Sequence, residues 1–598
     1  MTRAKALKLY FNYFYGVEAE GNSAMDVIRD FLKKKYGHDS VSPTYTGVIR
    51  EMIDNDLNPG SGGGGGNEDA LIARTLTRYK NNTATTIGNN AFAYYDNLVE
   101  ASFDKVTSIG NNAFISCSGL TSISFPNATT IGQQAFVGCV GITKAKFDSV
   151  TAIGYDAFNN CTNLENAEFP KLESVAERAF MYCNKLKDAY FQNATTIGSS
   201  AFGQCYSLIN VSFPNVTTIG NGAFYYCSNL SNVSFPNASL IEYGAFTCCQ
   251  NLQSISFPKV IEINDAAFDG CSSLTSASFS MVETIGARAF NGCRGLKSVS
   301  FPIATQIGNG AFTFCTSLTS VDFPKVNTIG FEAFMDCSGL TTASFADAVS
   351  INYSAFANCE NLTTVDFPKA TRIMSSAFAN CSLLYSVNFP SVESIGNFAF
   401  GKCYQLSNTS FPNAKNIDTA AFGYCSELTI ASFPATTFVG NYAFRNCVNL
   451  TSAYFPMATS IGSCAFLSCS ELTSAYFPVL SQISGSAFAS CSKISALCFQ
   501  KASSIYGMAF AGCYRLLSLY LPGSYKCSLA ARNAFDSTPI SGYTTYTDGV
   551  YGSIFVPASL YSSYIKDYTW SYYSNRIVSL TDEQIQLVIE TGTHENVK

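Results

Sequence analysis

Charge is scarce in this chain. Only 13% of its 598 residues are Asp, Glu, Lys or Arg, and the net charge is -6. A balance so small and negative excludes the basic field that non-specific nucleic-acid binding needs. There are two histidines, His38 and His594, and one tryptophan, Trp570. With both histidines terminal, Ser-His-Asp chemistry has no support in the body of the chain. No run of eighteen apolar residues occurs, so no membrane-spanning helix is expected and no membrane insertion. No phosphate-binding loop and no strand-coupled dinucleotide fingerprint is present. The stretch Gly62 to Gly66 lacks the Lys-Ser/Thr that a phosphate loop requires. The start, Met1-Thr2-Arg3-Ala4-Lys5, is basic, but Lys8 and Asn12 interrupt the apolar stretch behind it and no Ala-x-Ala site follows, so it does not read as a signal peptide.

What is abundant is apolar and aromatic material, at 47% and 14%, and it is arranged with a period. An Ala-Phe pair places its Phe at 92, 114, 136 and 158, and so on to 510, at intervals of 22 residues. That makes 20 units without an insertion, and a degenerate copy follows at Ala534-Phe535. One unit runs from Leu120 to Cys139. Leu120, Ile123 and Phe125 form a first apolar set with the in-out alternation of a strand. Pro126, which has no N–H to donate, ends the strand. Ile131, Ala135 and Phe136 form a second set, with Gly132 allowing a tight path between. Residues 133 to 138 are predicted to make a short helical turn. A unit this short cannot bury its own apolar face, whereas stacked units bury a continuous one. One parallel strand per repeat at about 4.8 Å gives an array of roughly 95 Å. Phe92, Phe114, Phe136 and Phe158 begin one internal lane. Removal of one interior Phe is expected to cost about 3–5 kcal/mol.

The 23 cysteines follow the same period. Nineteen stand three residues after the Ala-Phe pair, beginning Cys117, Cys139, Cys161 and Cys183. A lane this constant reads as a buried ladder of small, soft thiols. Disulfides between alternate repeats would demand a two-repeat period that is not there. Four converging metal ligands are also missing, so neither a metal nor another cofactor is expected. A reduced ladder fits an intracellular protein or a virion part assembled inside a cell, and fits a secreted adhesin less well.

These blocks resemble the BspA-like, or treponemal, leucine-rich repeats. Leu120, Ile123, Phe125 and Pro126 match the family's first block, Ile131, Gly132, Ala135 and Phe136 its second, and Cys139 and Ile142 its third. The resemblance covers residues 81 to 540. It implies a repeat solenoid, a right-handed leucine-rich-repeat superhelix of about twenty units with a parallel sheet. The family is known mostly for bacterial surface adhesins. The flanks resemble its members in phages and prophages of gut bacteria, through a tail with Ile554, Val556, Pro557, Tyr561, Tyr564, Trp570, Tyr573, Arg576 and Ile577.

The expected organisation is a small helical head over 1–57, a flexible glycine linker over 58–67, the solenoid with its N-terminal cap over 68–540, a C-terminal cap over 541–580, and a short helix and frayed tail over 581–598. The aromatic-rich head on its tether suggests self-association or docking to a virion. Leu71, Ile72 and Leu76 are expected to cover the first repeat. A last strand is expected at Ile554 to Pro557 and a helix from Leu560 to Tyr568, held down by Trp570 and Tyr573.

No catalytic constellation emerges. Asp322 and Asp366 share a lane but stand two repeats apart, on a face with no pocket. Asn-x-Ser/Thr sequons such as Asn127-Ala128-Thr129 follow from composition. The reading is therefore non-enzymatic. One class is recognition or adhesion, with a host-surface glycan or protein as partner and a virion or extracellular location. The others are a structural spacer, a secreted cell-surface adhesin, or a cytoplasmic protein. The outward lane before each terminal Phe is small or polar in most repeats, as at Ser124, Ser212 and Ser300. It changes to Tyr454, Tyr476 and Tyr520 near the C-terminal end, with Cys498 between the last two. Tyr454 and Tyr476 are close enough to touch, and the three form the candidate ligand patch. The same tyrosines could instead simply stabilise the sheet.

Overall fold

A computed structural model describes residues 76–407, 409–542 and 551–591. The expected head, the linker, Leu71 and Ile72 lie outside the described residues.

Each unit contributes a three-residue strand ending just before the Phe, as in Ser122–Ser124, and a two-residue strand ending in the Ile, as in Thr130–Ile131. Sequence reading anticipated only the first. The shorter strands form an open parallel ladder from Thr86–Ile87 to Ser528–Leu529, each pairing with its equivalent in the next unit. The three-residue strands also pair in parallel, residue for residue, as in Thr342↔Thr364 and Val365↔Val387. This ladder is interrupted, for example at 254–256, where no strand forms. The result is a right-handed leucine-rich-repeat solenoid.

Residues 133–138 do not make the expected helical turn. Gln134 and Gly138 have φ of 56° and 70°, in the left-handed region. The N–H groups of Gln134, Phe136 and Gly138 donate to the carbonyls of Tyr155, Ala157 and Asn159 in the next unit, at 2.9, 2.8 and 2.9 Å. An α-helical turn would have spent these donors within its own segment. Left-handed residues interspersed through the turn aim them sideways instead, so the turns form a third ladder between repeats. Gly, Asn and Asp, which tolerate this conformation best, fill a number of these positions, among them Gly138, Asn112 and Asp336.

Inside, two phenylalanine stacks interlock. Phe312 and Phe334 of the Ala-Phe lane have ring centres 5.2 Å apart and nearly parallel planes. Phe323 and Phe345 of the strand-end lane stack at 5.4 Å, and Phe334 meets Phe345 edge-on at 5.8 Å. Every lane residue from Phe114 to Phe510 is buried. Phe92 is only partly buried, and it is covered by Tyr79 at 4.9 Å.

The outer faces explain the low charge. Surface hydroxyls and amides bond from repeat to repeat. Thr363 donates to the Thr341 carbonyl at 2.9 Å, and Thr341 to that of Thr319 at 2.8 Å. Asn232 donates to Asn210, and Asn210 to Asp188, both at 2.6 Å.

Both described ends are capped. The strand Arg78–Lys80 pairs with Glu100–Ser102, and Leu76 packs on the core as expected. At the other end, Ser553–Pro557 extends the sheet beyond Ser518–Tyr520, and an unanticipated strand, Ile577–Leu580, extends it again. The cap helix is Ala558–Ile565, shorter than expected. Trp570 is fully buried, and its indole N–H donates to the Cys527 carbonyl at 2.7 Å. The helix Asp582–Thr591 buries Val588 against Tyr520 and Leu580, so this segment is part of the cap.

Candidate functional site

The strands Ser452–Tyr454 and Ser474–Tyr476 pair in register, which sets Tyr454 directly beside Tyr476. Their inward residues, Ala453 and Ala475, leave the backbone flat against the core. Alternation then turns both tyrosines outward. The rings stack with centres 5.3 Å apart and an interplanar angle of 8°. Each is 43% exposed, so one broad aromatic surface faces solvent.

Tyr520 does not join them. It is 1% exposed and stacks on Phe555 at 4.7 Å, beneath Leu580 and Val588. Burial pushes its phenol up to about 12. Cys498, between Tyr476 and Tyr520 in the lane, is half-buried, and burial likewise raises its thiol to about 12. The exposed patch is therefore the pair Tyr454–Tyr476. Tyr520 belongs to the cap because a segment about sixty residues further along folds over it.

Sequence reading missed the apolar surroundings of this pair. Met457 and Val479, each just after the proline that follows a tyrosine's strand, are exposed, as is Ile430 on the preceding strand. Ile430 departs from a mostly Ser, Thr and Asn background at its position, whereas the positions of Met457 and Val479 hold mainly Lys or Asn in other repeats. Ser432, the register partner of Tyr454 on that side, keeps the edge of the patch open.

The structural lanes lie where expected. Cys117, Cys139, Cys161 and Cys183 are buried free thiols. Burial raises the thiols of Cys139, Cys161 and Cys183. All 23 cysteines are unpaired. Among the described residues no group of three or more His, Cys, Asp or Glu side chains could hold a metal ion. No described helix is long and apolar enough to cross a membrane. Asp322 and Asp366 are both exposed, with Ser344 between them in register. That spacing leaves no shared site for acid–base work.

Other surfaces carry polar and aromatic groups. Gln204 donates to the hydroxyls of Tyr182 and Tyr225, at 3.2 and 2.9 Å, and accepts from Tyr206 at 2.7 Å. A shallow hollow of about 470 Å³ is lined by Tyr353, Arg372, Gly396 and Asp418, beside the Lys415–Glu393 ion pair at 2.9 Å. Burial raises the Asp418 carboxyl above its ordinary value.

Comparison with known proteins follows the same lines. No curated protein matches the chain significantly. Among solved structures, a leucine-rich repeat protein from Bacteroides ovatus is 26% identical, covering 58% of this chain and 82% of that one, with a TM-score of 0.43. A leucine rich cell surface protein from Faecalibacterium prausnitzii is 25% identical, covering 51% and 82%, with a TM-score of 0.30. The T. pallidum Leucine Rich Repeat protein is 30% identical, covering 26% and 75%, with a TM-score of 0.24. The model of the BspA type Leucine rich repeat region matches residues 85–209, 195–316, 305–429 and 437–551. With most of its length matched and the lanes in place, the chain belongs to the BspA type leucine-rich repeat family.

Proposed function

We propose that this chain is a non-enzymatic adhesion protein that binds a host-surface protein or glycan, with Tyr454 and Tyr476 as the anchor. The observation that carries the reading is the stacked pair itself, an exposed aromatic plate on a mainly polar strand face whose other exposed tyrosine, Tyr190, stands alone in its lane. Tyrosine offers a stiff apolar body with a hydroxyl at its rim, which suits a binding anchor. Met457, Val479 and Ile430 add apolar area around it. In this reading the array displays the patch at a distance, and residues 1–57 attach it to an assembly. A virion or extracellular setting fits this reading.

The test replaces both tyrosines with serine, which imitates most other repeats. Binding to host cells should fall at least tenfold while the thermal midpoint changes little. Unchanged binding by the folded double variant would remove this patch as the anchor. The middle repeats favour a spacer role for their own stretch, since Ser276, Ser278, Ser298 and Ser300 leave that strand face featureless.

A further inference from the structure

We propose a second binding site on the turn edge around Arg445, for an acidic sugar residue of a glycan, carboxylated or sulfated. It rests on observations separate from the tyrosine pair.

Arg445 follows Phe444 in its turn, and its carbonyl accepts the N–H of Tyr424 from the preceding repeat at 2.7 Å. Its guanidinium carbon lies 5.6 Å from the ring centre of Tyr424 and 5.6 Å from that of Tyr442. The two rings hold the cation in place. They supply no hydrogen-bond acceptor to its buried Nε, which has no partner among the described residues. Lys402 occupies the position of Tyr424 one repeat earlier, and its side chain is exposed. Tyr424 is thus flanked by two cations.

Neither cation has a carboxylate partner among the described residues. Some other basic residues of the array do pair with an acid in a neighbouring repeat. Lys369 meets Asp347 at 2.6 Å, Lys415 meets Glu393 at 2.9 Å, and Arg288 meets Asp269 at 3.0 Å. A basic pair without its acid, next to an orphaned donor, is complementary to an anion from outside.

Tyr424 stands on one turn, and Tyr442 and Arg445 on the next, with the ring of Tyr442 exposed. Three repeats span only about 10 Å, the scale of one or two sugar rings rather than of a protein interface. Ring faces beside charged donors suit a pyranose carrying an anionic group, with its C–H face on the aromatics and its acid on Arg445 and Lys402.

The test uses the full chain and four probes in titration calorimetry: a heparin tetrasaccharide, a polygalacturonate tetrasaccharide, neutral maltotetraose and a polyglutamate peptide. At least one of the two acidic sugars should bind, more weakly as salt rises, and maltotetraose should not. Arg445→Gln should weaken that binding by about tenfold or more. Lys402→Gln, at an exposed position that supports no neighbour, should weaken it several-fold without altering the fold. The Tyr454→Ser/Tyr476→Ser variant should bind the acidic sugar normally, which separates failure of this site from failure of the proposed anchor. The proposal is overturned if neither acidic sugar binds, if Lys402→Gln and folded Arg445→Gln bind as the natural chain does, or if polyglutamate binds as tightly as the sugars.

Discussion

The thiol of Cys337 donates a hydrogen bond to the main-chain carbonyl of Phe312, at 3.0 Å, across the boundary between two repeats. The same bond, from each lane cysteine to the Phe 25 residues earlier, recurs in all nineteen, at 2.9 to 3.3 Å. Cysteine is small enough for a lane that tolerates no bulk, apolar enough to be buried, and still has a weak donor to give.

This assigns a purpose to the lane that a mutant pair can check. Cys337→Ala loses both the donor and the sulfur volume, and is expected to cost about 1–3 kcal/mol. Cys337→Ser keeps a donor, so in urea unfolding it should be the less destabilised of the two. If serine proves the worse replacement, packing alone explains the cysteine.

Thiol reactivity should divide sharply. Twenty of the 23 cysteines are buried, and Cys248, Cys464 and Cys498 are only partly so. A thiol reagent at pH 8 should label at most these three in the folded protein and all 23 in denaturant. Cys498 should react slowly, since burial raises its thiol to about 12. Rapid labelling of many lane cysteines would contradict their burial.

Stability should fall in alkali. Burial raises lane thiols above their ordinary 9.0, to about 12 for Cys205. Above pH 9 the unfolded chain releases these protons while the folded chain keeps them, so the unfolded state binds fewer protons and stability declines as pH rises. Each such thiol removes about 1.4 kcal/mol per pH unit in that window. With several acting together, the thermal midpoint should drop steeply between about pH 9 and 11 and be flat from 6 to 8. A midpoint indifferent to alkali would show that the thiols are not held protonated by the fold.

The C-terminal helix should prove part of the cap. Val588 is fully buried beside Tyr520 and Leu580. Val588→Asp would put an unpaired charge there and should undock Asp582–Thr591. Hydrogen exchange should then speed up through 577–591 and leave the amides of the central repeats protected. Unchanged protection of this segment would mean that the helix does not rest on Tyr520.

Much of the site could be read without coordinates. The outward lane and the neighbouring positions of Tyr454 and Tyr476 follow from alternation along a strand and a constant period, both of which are local. The misplaced member, Tyr520, obeys the same local rule. Its exposure is cancelled by Val588, 68 residues later, and no periodic argument reaches that far.

By itself, the sequence determined the period, the two phenylalanine lanes, the cysteine lane and the parallel stacking of repeats. A 22-residue unit repeated without insertion admits one register, and apolar residues recurring in it must face inward together. Only the tertiary structure decided that the turns run sideways as a left-handed ladder instead of a helical turn, that a second strand ladder flanks the first, and that Arg445 lies between Tyr424 and Tyr442 without an acid. Each of these depends on a hydrogen bond or ring contact with a repeat about 22 residues away, where the backbone settles donors and acceptors by mutual fit. Composition and spacing within one repeat say nothing about that fit.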